Sequence, residues 1–203
     1  MTITWYGHSC FELASTEGTV VFDPYSDGSV PGCRLPQLEA DIVLCSHGHS
    51  DHAGTEKVTL SGKPCVCRVE TVNCFHDDAG GAKRGPNTIH IVSAEGLRVV
   101  HLGDLGHEPD EEQYAAIGAP DLLFIPVGGC FTIDAAQARA IAGRIGARIT
   151  VPMHYRGERF GYDVIGTLDD YTKLCGDVVF SESSSFDPAD YPESVTLVLR
   201  AAK

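Results

Sequence analysis

Within six consecutive positions the chain carries three imidazoles and one carboxylate, His47-Gly48-His49-Ser50-Asp51-His52, directly after a compact apolar run over residues 41–45. Neutral imidazole and carboxylate form the donor set that suits zinc, manganese or iron. The spacing indicates how such a loop is used. His47 and His49, two apart, can converge on one ion, while Asp51 and His52 can turn toward a second beside it. The competing reading, a solvated polar loop, is disfavoured by three further potential ligands, each just past a predicted strand: His76 after residues 72–75, Asp104 after residues 97–102 and His154 after residues 148–152. A site that gathers side chains from several strand ends can hold two ions about 3.5–4 Å apart, the separation at which one hydroxide bridges both. Asp104, following Gly103, is placed as the carboxylate shared between them.

The remaining pattern supplies a scaffold for such a site. Residues 2–6, 9–14 and 19–22 read as short strands, the last two paired antiparallel, and residues 41–45 as a strand that ends in the histidine loop. Strands continue over 64–69, 72–75, 88–93 and 97–102, with Glu95-Gly96 as a tight hairpin turn. Helices are predicted over 109–117, 134–145 and 167–174, with capping residues at Asp134 and Thr167 and Gly146 as a stop. Buried strands over 121–126 and 148–152 and a closing strand over 195–199 lie between and after them. Strands first, then strand and helix in alternation, predict two packed sheets with helices outside. A length of 203 residues without repeat, low-complexity segment or linker reads as one domain spanning 1–203.

Charge and cysteine content narrow the function. Fifteen Lys and Arg against 28 Asp and Glu give a net charge of −13, which repels nucleic acid at long range. Bound divalent ions could still make one cleft locally positive. No stretch reads as membrane-spanning, and residues 1–6 lack the pattern of a secretory signal, so a cytoplasmic location is expected. The eight cysteines then read as small buried hydrophobes or free thiols, Cys130 being the one whose position invites a role.

His47-Gly48-His49-Ser50-Asp51-His52 matches the H-x-H-x-D-H signature of metallo-β-lactamase-fold hydrolases, and the later ligands follow in that family's order. The segments around His76, Asp104, residues 125–129 and His154 resemble the branch containing ascorbate-6-phosphate lactonase-like proteins. The resemblance implies an α/β fold, a four-layer αββα sandwich with metals at one edge. By it, His47, His49 and His76 hold one ion, Asp51, His52 and His154 the other, and Asp104 is shared. It does not define a substrate, because this fold hosts many hydrolytic reactions.

The leading function is therefore metal-dependent hydrolysis of a small ester, lactone or phosphorylated metabolite by metal-bound, bridging hydroxide. Phosphodiesterase or ribonuclease action is the enzymatic alternative, and a non-catalytic metal-binding or regulatory role is the other. Asp51, Asp104 and His8 are the catalytic candidates, His8 because the resemblance places its hairpin near the metal edge. Lys83 and Arg84 in a Gly-rich loop, and Tyr155 and Arg156 after a ligand, are candidates for a small, anionic substrate. His90, His101 and His107 read as structural. No nucleic-acid or membrane partner is expected, and the oligomeric state is left open. Seven candidate ligands exceed the three or four that one tetrahedral zinc takes, so two divalent ions per chain are expected, zinc first, with manganese or iron as alternatives. Elemental analysis with metal titration checks this, and a reproducible stoichiometry of one rejects the dinuclear reading.

Overall fold

Burial alternates along the first strand, where Ile3 and Trp5 are enclosed and Thr2 and Thr4 face outward, the period-two pattern of a sheet packed on one face. The computed structural model describes residues 1–200. In chain order its strands are β1 (Thr2–Gly7), β2 (Cys10–Ser15), β3 (Gly18–Phe22), β4 (Leu38–Ala40), β5 (Ile42–Leu44), β6 (Val58–Leu60), β7 (Arg68–Phe75), β8 (Pro86–Ala94) and β9 (Leu97–His101). Then follow α1 (Glu111–Ile117), β10 (Leu122–Pro126), α2 (Ala135–Ile145), β11 (Ile149–Met153), α3 (Leu168–Thr172), β12 (Val178–Phe180), β13 (Ser185–Phe186) and β14 (Val195–Val198).

These strands form a five-stranded sheet in the order β13-β1-β2-β3-β5 and a seven-stranded sheet in the order β12-β14-β11-β10-β9-β8-β7. The two sheets share one core. Phe11 of β2 stacks on Phe124 of β10 with ring centroids 3.9 Å apart, and Trp5, Phe22, Ile89 and Leu102 belong to the same buried cluster. Every residue of β10 and β11 is buried, as required of strands covered on both faces. Their outer cover is α2, which turns Ala138, Ile141, Ala142 and Ile145 inward.

All three helices lie in the chain between strands of the seven-stranded sheet, and α3 packs against α2. Outside the first sheet the covering layer is built differently. Tyr25, Val30 and Leu35 from the segment after β3, with Leu38, Ala40 and Val58 from the parallel β4–β6 pair, close a second cluster over Cys10 and Val21. The two-sheet sandwich with helices outside thus holds, with that layer made of turns and a short ribbon. Among the described residues no helix is long and apolar enough to cross a membrane.

Two expectations about elements are corrected, and four short strands had no predicted counterpart. Residues 64–69 and 72–75 are not two strands: β7 runs unbroken from Arg68 to Phe75 and pairs with β8 throughout. It is an edge strand with most side chains exposed, so its polar residues read as an interruption. The helix over 109–117 begins at Glu111, because the Asp110 side chain accepts the Gln113 N–H and so takes the N-cap. The short strands β4, β6, β12 and β13 carried too few residues to show a period.

Five chain segments leave strands or bulges at one edge of the sandwich, after β1, β5, β7, β9 and β11, and these carry His8, the 47–52 loop, His76, Asp104 and His154. The stiffness of that edge rests on the shared core. Phe124→Ala is expected to cost about 3–5 kcal/mol, read as a lowered urea midpoint with an unchanged slope.

Candidate metal centre

Asp104 is the hub of the edge. Its Oδ2 lies 3.2 Å from the Nε2 atoms of both His52 and His154, 3.3 Å from that of His76 and 4.0 Å from that of His47. The carboxylate is almost wholly enclosed. Gly103 makes the approach possible: its φ is +57°, and a Cβ there would sit 2.4 Å from Asn87 Oδ1 and Ser46 Cβ. Asn87 then receives the Asp104 N–H at 2.9 Å while donating its own amide to the Leu102 carbonyl.

The other ligands named from the sequence converge around this hub. One donor atom each from His47, His49 and His76 lies within 4.8 Å of the others, and the same holds for His47, His52 and Asp104 and for His8, Asp51, His52 and His154. His49 is exposed, whereas His52, His76 and His154 are buried. The one-turn loop that spaces them is closed by the N–H groups of His52 and Ala53, both donating to the His49 carbonyl.

Asp23 was missed by the sequence reading, and it organises the cluster from behind. Fully buried, it accepts the His52 Nδ1–H at 2.7 Å and the Ser46 backbone N–H and Oγ–H at 2.6 Å each. Ser46 Oγ in turn lies 3.0 Å from His47 Nδ1. One carboxylate thus fixes two imidazoles, one directly and one through a hydroxyl, so that both Nε2 atoms face Asp104. A strand-end Asp distant in sequence gives no local signal of this role.

The donor set fits divalent cations. The Nε2 atoms of His47 and His52 and Oδ1 of Asp104 are buried without a hydrogen-bond partner, a costly arrangement that a cation resolves. The electrostatics agree. Burial opposes charge on His52, but Asp104 and Asp23 on either side outweigh it and raise its pKa well above the usual imidazole value. Burial likewise opposes charge on Asp104, yet His154 and His52 hold its pKa well below the carboxylate range. Burial pushes His47 down to about 3 and His8 to about 4. The field therefore demands positive charge at the centre while keeping other imidazoles neutral, the form that ligates metal.

The remaining candidates are distributed unevenly. His8 is enclosed at the centre, its Nε2 3.4 Å from Asp51 Oδ2. Asp51 also receives Tyr162 Oη at 3.1 Å, a contact that sequence reasoning did not find. Lys83 is tied to Asp78 at 2.6 Å on the surface. Arg84 donates to the Cys130 carbonyl at 2.9 Å and lies 5.5 Å from the Phe131 ring centroid. Their loop is folded about Asp77, whose carboxylate accepts the N–H groups of Ala79, Gly81, Lys83 and Arg84.

Tyr155 is a packing residue, buried against Trp5 and Phe160. Arg156 donates to the Asp163 carbonyl and lines a cavity of about 750 Å³ whose wall contains none of the seven ligand candidates. The sequence reading placed both beside the substrate because they follow His154, but the backbone turns away at once. His101 is structural as expected, within reach of the Ser9 carbonyl and stacked on Phe22. His107 accepts the Phe75 N–H. Cys130 is exposed and joins this region only through its carbonyl.

Two sheets delivering imidazoles and carboxylates to one edge define a metal-dependent hydrolase of the metallo-β-lactamase type. The model of the beta-lactamase superfamily domain matches residues 2–154, from β1 to the last ligand candidate, and the chain belongs to that superfamily. It is 31% identical over 188 residues to a UPF0173 metal-dependent hydrolase of Methanoculleus marisnigri, with 76% of this chain and 81% of that one covered. Its structure aligns with that of a metallo-beta-lactamase superfamily protein of Thermotoga maritima at a TM-score of 0.80 and 29% identity, over 99% of each chain. An isothiocyanate hydrolase from Delia radicum gut bacteria shares the fold, with a TM-score of 0.67 at 11% identity over 100% of this chain and 98% of that one.

Asp23→Asn keeps the shape but removes the charge behind His52 and His47, and metal affinity is expected to fall about 10–100-fold, measured by competition with a chelator. The raised pKa of His52 has a second consequence. A proton held there in the metal-free protein must leave when a cation binds, so affinity falls as pH is lowered. Calorimetry in buffers of different ionisation enthalpy should register the released proton, and its absence would contradict this account of the centre.

Proposed function

We propose that the chain hydrolyses a small, anionic ester, lactone or phosphorylated metabolite at a centre holding two divalent cations, with His47, His49 and His76 on one, Asp51, His52 and His154 on the other, and Asp104 between them. The observation that carries this reading is the single carboxylate oxygen with four imidazole nitrogens within 4.0 Å. Divalent ions held by these residues would supply Lewis acidity, lowering the pKa of bound water (to about 7 for protein-bound zinc) and polarising the bond to be cleaved.

The protein's own groups hold that chemistry in place. Asp104 and Asp51 balance part of the cationic charge, and the Asp23–Ser46–His47 and Asp23–His52 contacts keep the ring orientations from drifting. Tyr162 Oη, shared between Asp51 and the Ser29 carbonyl, ties the loop after β11 to the ligand loop.

The substrate reading rests on the rim. Arg84 leans over Phe131, Phe131 meets Tyr162 edge-on at 5.9 Å, and Tyr162 meets His8 edge-on at 5.8 Å. This row links a guanidinium to the centre through two aromatic rings. One face of Arg84 is used by the Cys130 carbonyl, and its remaining donors suit a carboxylate or phosphate. Lys83 is the weaker candidate because Asp78 already neutralises it. The resemblance to lactonase-like proteins adds support for a lactone. A net charge of −13 counts against RNA, whose binding depends on a basic surface.

A panel of phosphorylated lactones, neutral lactones, thioesters and structured RNA, at matched metal and ionic strength, tests the proposal. Asp104→Ala should abolish turnover on whichever substrate is found while circular dichroism remains that of a folded chain. Arg84→Ala should raise KM for the phosphorylated lactone about tenfold or more, the loss of one charge-assisted hydrogen bond, and leave the neutral lactone unchanged. Efficient RNA cleavage would overturn the size claim, and equal rates on charged and neutral lactones would remove the anionic preference.

A further inference from the structure

We propose that His8 is a fourth protein ligand of one cation, so that His8, Asp51, His52 and His154 form an inner site complete without Asp104, which fills before the outer site of His47, His49 and His76. This rests on the metal-centre reading above and extends it to a residue outside the seven.

His8 occupies a position that a structural histidine would not choose. Its φ is +51°, a left-handed conformation uncommon for a non-glycine residue, and it is fully buried. Both ring nitrogens lack a hydrogen-bond partner. The strain is held in place from two sides. Trp5 Nε1 donates to the His8 carbonyl at 3.0 Å, and the backbone N–H of His154, itself a proposed ligand, reaches the same oxygen at 3.4 Å. The β1–β2 turn is thus fastened to the end of β11, and the His8 ring lies 4.2 Å from the His154 ring and 5.2 Å from the His52 ring, centroid to centroid.

The distances separate ligation from a hydrogen bond to Asp51. A charge-assisted N–H···O pair closes to about 2.7–2.9 Å, but His8 Nε2 stands 3.4 Å from Asp51 Oδ2. That is close to the edge of a tetrahedron with bonds of about 2.0–2.1 Å, roughly 3.4 Å. His52 Nε2 stands 3.9 Å from the same oxygen, and donor atoms of all four residues lie within 4.8 Å of one another. Proton donation to a substrate is the poorer role, since the ring is enclosed by His52, His154 and Tyr162 and presents no open side.

Site order follows from burial. His8, His52 and His154 are buried and Asp51 is mostly so, whereas the outer set includes the exposed His49. An enclosed set of three imidazoles and one carboxylate binds more tightly and exchanges more slowly than one open to solvent.

The test is cobalt(II) titration of metal-free protein, followed by ligand-field absorption, chelator competition and paramagnetic proton NMR, for the wild type, His8→Asn and His49→Ala. Asparagine tolerates the left-handed backbone but is too short to reach the ion, and His8→Gly serves as the second variant, free of strain at this φ. Thermal denaturation of the metal-free forms verifies folding. With either His8 variant, the first binding step should weaken at least tenfold and the first equivalent of cobalt should show one fewer hyperfine-shifted imidazole N–H resonance. His49→Ala should weaken only the second step. A first step within twofold of wild type, or an unchanged count of imidazole resonances, would overturn the assignment of His8. If wild-type protein binds no cobalt, the metal-centre reading itself fails, which is a different result.

Discussion

The structure depends on burying one carboxylate among imidazoles, of which His47 and His52 are held from behind at their outer nitrogens, while several inward-facing polar atoms have no hydrogen-bond partner. Asp104 lies inside the sandwich edge with four Nε2 atoms around one oxygen, and several of these polar atoms have no hydrogen-bond partner. Each such atom left unsatisfied costs about 1–3 kcal/mol. A flexible edge would relieve the cost by swinging the side chains into water. Here the swing is blocked: Gly103 is wedged against Ser46 and Asn87, His52 is held by Asp23, and His154 is strung to His8. A metal ion held there would turn the same arrangement from a liability into a satisfied coordination shell.

Backbone strain is concentrated at this edge. Of the five non-glycine residues with positive φ among the described residues, His8, Asp23 and His154 belong to the centre or its support. Such conformations persist only where surrounding structure over-determines them, and the two all-buried strands β10 and β11 with the Phe11–Phe124 stack supply that rigidity. Core and site are therefore linked. The sandwich is stiff where the ligands leave it, and a change that loosens the core also loosens the geometry of the ligands.

What the sequence disclosed and what it hid follow the range of the interactions. The 47–52 loop is legible because four donors fall within six residues, and His76, Asp104 and His154 are legible as potential ligands just past predicted strands. Asp23, Asn87 and Tyr162 are not. Each is an ordinary residue locally and acquires its contact across 29, 17 and 111 positions of chain respectively. The same limit explains Tyr155 and Arg156: adjacency to His154 in sequence suggested the substrate side, but a positive φ at His154 redirects the backbone into the Trp5–Phe160 packing. Sandwich strands with strict alternation or full burial were readable, whereas the edge strand β7 lost its signal because solvent covers most of it.

Charge works on two length scales in this molecule. At distances beyond about 8 Å salt screens individual groups, and an approaching polyanion meets the average of a surface with net charge −13. Beside the centre the average no longer applies. Asp77 spends its carboxylate on four backbone N–H groups and Lys83 is paired with Asp78, so the loop presents Arg84 as its cation nearest Phe131 and Tyr162. Under the proposed function a small anion at that guanidinium would feel it together with any metal held at the centre, while an extended one would also lie against acidic surface outside. Selection by size and selection by charge would then be the same physical effect, a local positive field from which only a ligand of comparable dimensions gains without meeting the repulsion around it.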